Sequence, residues 1–369
     1  VKLNTVDELI SDIRQGRMVV LLDDDADSDN EGVVMMAAEH AEAKQVNFMA
    51  RNARGLVCIA ITQERCRQLD LPPMVEQAEG DKSNFTLSIE AAEGVETGIS
   101  AADRARTVQA AVAPHAQPGD IVQPGHIFPL TVSAGGVLTR AGHTEGASDY
   151  VRLAGLSPFA MMADILTTDG QLADGGALFE FAREHDLLIG SIADLIQFRV
   201  THERTIRRVR EGSIATRYGE FRLIAYRDQT GGNLHLALAK GEISADQPTL
   251  VRVHVNSVMR DLVGAKLPQK PSWDLDSALQ AVVDRGAGVV VLLAQQESPE
   301  RLLASVNMAL GLEPAQAQPG SADTYTTVGL GSQILRDLGV GKIHLMGAPI
   351  KYNAISGFGL EVLDFVNPL

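Results

Sequence analysis

The chain has 369 residues, 45% apolar and 21% charged, with a formal net charge of −15. That length supports two domains with a substantial core in each. The acidic balance, with no block of Lys and Arg, argues against nucleic acid as a partner, because phosphate contacts require a basic surface. No run approaches the roughly 18 apolar residues that span a bilayer, and Val1-Lys2-Leu3-Asn4-Thr5 lacks the basic start and apolar core of a secretory signal. A cytoplasmic protein without a membrane partner is the expectation. Cys58 and Cys66 are the only cysteines, too few for a disulfide framework or a structural zinc site.

In chain order, Thr5 to Gly16 reads as an opening helix with Val6, Leu9, Ile10 and Ile13 on one face, Thr5 as cap and Gly16 as stop. Met18 to Leu22 reads as a buried strand, and Val33 to His40 as a second apolar segment. Between them lies Asp23-Asp24-Asp25-Ala26-Asp27-Ser28-Asp29-Asn30-Glu31-Gly32, with six carboxylates in nine residues. Such a cluster repels itself unless a cation draws its field, and an oxygen-rich loop suits Mg²⁺ or Mn²⁺. A solvated acidic turn is the plain alternative.

Leu56 to Ile61 is a second buried strand, followed by a helix from Thr62 to Leu69. Phe85 to Ile89 alternates as a strand, and a helix opens near Gly98 with Thr97 or Ser100 as cap. Gly146 to Leu156 predicts a helix, Met161 to Leu166 a strand, Gly170 a turn, and Ala177 to His185 a helix. Strands and helices mix without a βαβ repeat, so the fold class is α+β. Thr201 to Gly212 reads as a charged helix and linker between domains spanning residues 1–204 and 213–369. Beyond it, Tyr218 to Tyr226, Leu234 to Ala239 and Thr249 to His254 predict strands, Leu275 to Asp284 and Glu300 to Leu310 helices, and Ala315 to Ala322 a loop.

The turn Arg140-Ala141-Gly142-His143-Thr144 concentrates what phosphate and metal both need. Arg140 offers a forked guanidinium, Gly142 a close backbone approach and Thr144 a hydroxyl donor, which leaves His143 available to a metal. Asp164 interrupts the apolar run Met161 to Leu166, and a carboxylate there is costly to bury unpaired, so a polar cleft is expected beside it. Cys58 sits in an apolar strand, where an inert small hydrophobe is commoner than a nucleophile. His126 in Gly125-His126-Ile127-Phe128-Pro129-Leu130 reads on its own as a packing histidine.

Asp29-Asn30-Glu31-Gly32, Arg54-Gly55-Leu56-Val57-Cys58, Phe85-Thr86-Leu87-Ser88-Ile89, the stretch Thr97 to Thr107, Gly125 to Leu130, and Arg140 to Glu145 stand in the order found in 3,4-dihydroxy-2-butanone-4-phosphate synthase. Residues 3–205 resemble that enzyme, and the remainder resembles the GTP cyclohydrolase II domain often fused to it, an α/β domain, through Leu250 to His254, Gly331 to Val340 and Gly357 to Val362. The resemblance implies a metal-dependent carbon-carbon lyase of riboflavin biosynthesis, acting on the sugar phosphate ribulose 5-phosphate as a homodimer with sites at the subunit interface. It implies Asp29 and His143 as ligands of Mg²⁺ or Mn²⁺. Asp29, Glu31, Cys58, His126 and Asp164 stand at its catalytic positions. Asp24, Ser28, Val33, Thr97, Arg140, Ala141, Gly142, Thr144 and Asp164 stand where substrate binds.

The loop departs from the family pattern. Ala26 replaces a Glu, Ser28 an Arg and Val33 an Asp, while Asp29 and Asp164 each replace a Glu. The Asp29 carboxylate is thereby set back about one methylene, roughly 1.5 Å. Three outcomes are open: the family reaction, loss of phosphate to give butane-2,3-dione, or an inactive regulatory or assembly homologue. The second domain needs three Cys for a cyclohydrolase zinc. None follows Cys66, so neither zinc nor cyclohydrolase activity is expected, and a structural, dimer-supporting or regulatory role stays open for that domain.

Overall fold

The computed structural model describes residues 2–23, 31–75, 84–229, 232–265, 273–294, 297, 299–312, 321–347 and 360–368. The chain divides into two units, Val1–Phe198 and Arg199–Leu369. No described helix is long and apolar enough to cross a membrane.

In the first unit, α1 (Val6–Arg14) forms as its sequence predicts. The Thr5 hydroxyl accepts from the Glu8 N–H, Glu8 reaches back to the Thr5 N–H, and Val6, Leu9, Ile10 and Ile13 are buried. Then come β1 (Val19–Leu22), β2 (Gly32–Ala37), α2 (Ala43–Phe48), β3 (Cys58–Thr62), α3 (Gln63–Gln68), β4 (Ile89–Ala91) and α4 (Ala101–Val112). They are followed by β5 (Ile121–Val132), α5 (His143–Leu153), β6 (Ala160–Asp164), α6 (Gly175–Glu184), β7 (Leu188–Ser191) and α7 (Ile192–His202).

The strands make one mixed sheet in the order β4-β5-β3-β6-β2-β1-β7. All residues of β1 and β2 are buried, because helices cover both faces of the sheet. One face carries Val20, Val34, Ile59 and Met161 into a core shared with α4 and α6. The other receives α5, which packs so closely that a Cβ on Gly146 would fall 2.7 Å from Leu21 Cδ2.

The second unit holds β8 (Ile206–Thr216), β9 (Gly219–Asp228), β10 (Leu234–Lys240), β11 (Pro248–Val255), α8 (Leu275–Arg285), β12 (Gly288–Leu293), α9 (Pro299–Ala309), α10 (Ser321–Asp337), β13 (Lys342–Met346) and β14 (Glu361–Val366). Its sheet runs β14-β13-β11-β12-β10-β9-β8. It is antiparallel from β8 to β12 and parallel from β12 to β14. α8 closes a core of Phe221, Leu250, Trp273, Leu279, Val282 and Val290.

Three expectations are corrected. Thr201 to Gly212 is not a helical linker: α7 ends at His202 and β8 begins at Ile206. Its Arg and Glu side chains suit a helix, but from Ile206 onward the segment pairs with β9 and keeps most of those charges exposed on an edge strand. Phe85 to Ser88 makes only isolated bridges, since the Thr86 N–H donates to Pro129 O and Pro129 has no N–H to return. α5 starts at His143 rather than Gly146, because extended Gly142 serves as its N-cap. Residues 315–320 of the expected loop lie outside the described residues, and its last two residues, Ser321 and Ala322, open α10.

Gly55 governs how β6 ends. A Cβ there would lie 2.2 Å from the backbone oxygen of Asp164 and 2.7 Å from its nitrogen, contacts that only a backbone shift relieves. Gly55→Ala is expected to destabilise the protein by about 1–3 kcal/mol, read as a lower Tm. Gly119→Ala, where a Cβ meets nothing within 4 Å, is expected to leave Tm unchanged. Equal Tm values for the two variants would refute the close approach.

Candidate active site

β1, β3 and β6 all bring an end to the head of α5, and a cavity of about 430 Å³ opens there. Asp23, Cys58, Asn84, Phe85, Leu130, Arg140, Ala141, Gly142, His143, Thr144, Glu145 and Asp164 are among the residues that line it. Of the residues singled out by sequence, the structure thus gathers Cys58, Asp164 and the whole Arg140 to Thr144 turn.

The turn is stiffened from behind: Glu145 Oε1 accepts from the Ser133 N–H at 3.0 Å and stands 4.0 Å from Arg140 Nη1. Asn84 Nδ2 reaches Thr144 Oγ1 at 3.5 Å. Gly142 supplies no side-chain cap, so no N-cap side chain covers the first amides of α5, and Glu145 Oε2 folds back so close to Gly142 that a Cβ there would meet it at 2.9 Å. Two buried polar atoms here, His143 Nε2 and Glu145 Oε2, meet no hydrogen-bond partner among the described residues.

Asp164 is exposed at the end of β6. Burial, reinforced by the Asp164 charge, pushes the Cys58 thiol up to about 12. Cys66, also buried, is raised as well.

Other expected site residues fall elsewhere. Val33 pairs with Asp164 across β2 and β6 but is wholly buried and does not line the cavity. Glu31 is half-buried beside the cavity, its carbonyl accepting from the Asp23 N–H at 2.9 Å. Thr97 and His126 do not line the cavity; both are exposed near the β4–β5 pair. Asp24, Ser28 and Asp29 lie outside the described residues. Among the described residues no three His, Cys, Asp or Glu side chains gather as a metal cluster.

Asn84 and Glu145 received no role from the sequence. The available signal for Glu145 was its place three residues after Gly142, where an acidic side chain folds back over a helix N-terminus. For Asn84 it was adjacency to the Phe85 motif.

The 3,4-dihydroxy-2-butanone 4-phosphate synthase profile matches residues 7–198, just over half of the chain. The chain belongs to the 3,4-dihydroxy-2-butanone 4-phosphate synthase family. A GTP cyclohydrolase II profile matches residues 207–367. A Pseudomonas aeruginosa 3,4-dihydroxy-2-butanone 4-phosphate synthase is 52% identical over 99% of both chains. Among solved structures, RibBX, a two-domain 3,4-dihydroxy-2-butanone 4-phosphate synthase from A. baumannii, superposes with a TM-score of 0.85 at 45% identity, covering 98% of this chain and 99% of that one. A 3,4-dihydroxy-2-butanone 4-phosphate synthase in complex with two magnesium ions matches 55% of this chain and 99% of its own, with a TM-score of 0.52 and 35% identity.

In the cyclohydrolase-like unit, β11 ends at a closed polar cluster. His254, fully buried, has its Nε2 3.0 Å from Asp261 Oδ2. Asp261 also accepts from Arg260 Nη2 at 2.8 Å, from the Ser257 N–H at 2.8 Å and from the Leu275 N–H at 3.1 Å. Burial, with Arg260 and Arg252 nearby, lowers His254 to about 4 against the pull of Asp261. Burial pushes the Asp261 carboxyl up, but Arg260, the Ser257 N–H and His254 outweigh it and hold the group below the usual carboxylate range.

Two outcomes follow. Native protein is expected to react slowly with a disulfide reagent at pH 8, where about one Cys58 in 10⁴ is thiolate, and to yield two fast thiols once unfolded. Asp164→Asn should speed Cys58 labelling, and fast labelling of the native wild type would contradict the buried thiol. The His254 value lies below the 6.5 of a free imidazole, so its stabilising contribution is complete above about pH 6.5 and is lost as pH falls towards 4. Urea unfolding followed by the single tryptophan, Trp273, should lose up to about 3 kcal/mol more over that window in wild type than in His254→Gln. Identical pH slopes would place the imidazole in water.

Proposed function

We propose that this chain cleaves ribulose 5-phosphate to 3,4-dihydroxy-2-butanone 4-phosphate and formate, a lyase step of riboflavin biosynthesis. The observation that carries the proposal is the convergence, in one cavity, of Arg140, the uncapped head of α5, the unpartnered His143 Nε2, Asp164 and Cys58.

Arg140, the first α5 amides and the Thr144 hydroxyl bind the phosphate, whose charge suits both guanidinium and helix N-terminus. This fixes which end of the sugar reaches β6. Asp164, exposed and anionic, moves protons at the carbon skeleton. Cys58 serves as neutral wall, since a thiol held near 12 supplies no thiolate at neutral pH.

The buried lone pair of His143 Nε2 fits a divalent cation, and Asp29 would be its second protein ligand. Bound there, Mg²⁺ or Mn²⁺ would chelate neighbouring substrate oxygens and acidify the carbon beside the carbonyl. Glu31 stands next to the cavity residue Asp23, whose N–H its carbonyl accepts.

The active form is a homodimer. His126 is not among the described residues that line the cavity of its own copy. Ile99 and Val122 are 60% and 48% exposed in the same region as Thr97 and His126. A second copy covers that apolar surface and brings its own Thr97 and His126 to the reacting end.

The second unit performs no cyclohydrolase reaction. Both cysteines precede residue 67, so the zinc that must generate the attacking water has no thiolate ligands, and His254 Nε2 is already engaged by Asp261.

The test is an incubation of the full chain with ribulose 5-phosphate and Mg²⁺. One formate per sugar phosphate is expected, without free phosphate, halted by EDTA and restored by Mg²⁺. Arg140→Ala should raise KM at least about tenfold, because a charge-assisted phosphate contact contributes 1.5–3 kcal/mol in a typical site. Free phosphate with butane-2,3-dione would redirect the product, and no sugar consumption would leave an inactive homologue. GTP should release no formate, and metal analysis should find no stoichiometric zinc.

A further inference from the structure

Glu90 occupies the middle of β4 and is 8% exposed. Its Oε2 stands 2.8 Å from His126 Nδ1, and its Oε1 accepts from Thr107 Oγ1 at 2.8 Å. Thr107 is fully buried on α4 and accepts in turn from the Ala91 N–H at 3.0 Å. From the other side, Gly98 comes so near that a Cβ would fall 1.9 Å from Glu90 Oε2. Its own N–H is given to Asp103 Oδ2 at 3.0 Å, so it does not compete for the carboxylate. The Glu90 carboxylate is therefore held from two directions while the imidazole it touches is 48% exposed.

We propose that Glu90 is the positioning residue of His126: it accepts the Nδ1 proton and thereby presents the Nε2 lone pair outward as a proton acceptor. A buried carboxylate behind a histidine fixes both the tautomer and the ring orientation, and it stabilises the imidazolium formed when the ring takes a proton. The transfer is balanced within the pair. A substrate proton moves to Nε2, the electron pair of its former bond stays on the substrate, Nδ1–H stays on the ring, and Glu90 keeps its charge.

The arrangement differs from a carboxylate that serves only to join β4 to α4. That task needs Thr107 and Ala91 alone and leaves no reason for the second oxygen to meet an exposed ring. It also assigns a purpose to the Gly98 approach, since any side chain there would displace Oε2 from Nδ1.

This inference rests on the place given to His126 at the reacting end above, and the experiment separates the two. Full-length wild type, Glu90→Gln and His126→Gln are assayed for formate release, and ¹⁵N-histidine spectra are recorded above the imidazole titration range, with His126→Gln assigning the signal. The expected result is a kcat about 10–100-fold lower in Glu90→Gln at unchanged KM, with His126 carrying its proton on Nδ1 in wild type and shifting towards the Nε2–H form in the variant. Wild-type kcat in Glu90→Gln together with an inactive His126→Gln overturns the positioning role alone. A fully active His126→Gln overturns the role of the histidine itself. Should Glu90→Gln not fold, the wild-type spectrum decides, and a proton on Nε2 there overturns the proposal.

Discussion

An imidazole nitrogen sealed from water without a partner is expensive to keep, and the head of α5 keeps one beside an equally unpartnered carboxylate oxygen. Leaving a buried polar atom unsatisfied costs about 1–3 kcal/mol, so the surrounding fold must impose it. The means are visible in the packing. α5 is drawn onto the sheet at Gly146, the turn before it is tied by Glu145 to the Ser133 amide, and Gly55 lets the Asp164 backbone close over β3. The polar atoms at the cavity are thus held ready by a rigid apolar scaffold rather than ordered on demand, which is how a site gains from a ligand what folding withheld.

The two units treat buried polarity in opposite ways. The first leaves a buried atom of His143 and one of Glu145 without partners beside a cavity. The second closes His254, Asp261, Arg260 and Arg252 upon one another and upon main-chain groups. A histidine lowered by burial, beside a carboxylate held in its charged form, ties the end of β11 to the head of α8 through the Leu275 amide. Such a network resists loss of any one member, since each removal strands a buried charge.

The lyase-like unit also shows how far apart one set of motifs can lie in a single copy. Arg140 to Thr144 meet Cys58 and Asp164 because α5 returns across the sheet to the ends of β3 and β6. Thr97 and His126 are carried to the β4–β5 pair, where exposed Ile99 and Val122 accompany them.

Local chemistry was enough for α1, where the Thr5 capping box, four apolar residues on one face and a left-handed Gly16 agree, and for the buried runs that became β1, β2, β3 and β6. The order of motifs was likewise enough for the family. Tertiary structure decided what depends on neighbours. The charged stretch after residue 205 became an edge strand because β9 offered it a ladder, and Phe85 to Ser88 failed as a strand because Pro129 could not complete one. Val33, aligned with substrate contacts, vanished into the sheet. Glu90, unremarked in the sequence, came to lie under His126 through a pairing between β4 and β5 that no local pattern announces. Periodicity and caps are properties of a few consecutive residues and can be read in order. Burial, partnership and the approach of one backbone to another exist only once distant segments have met.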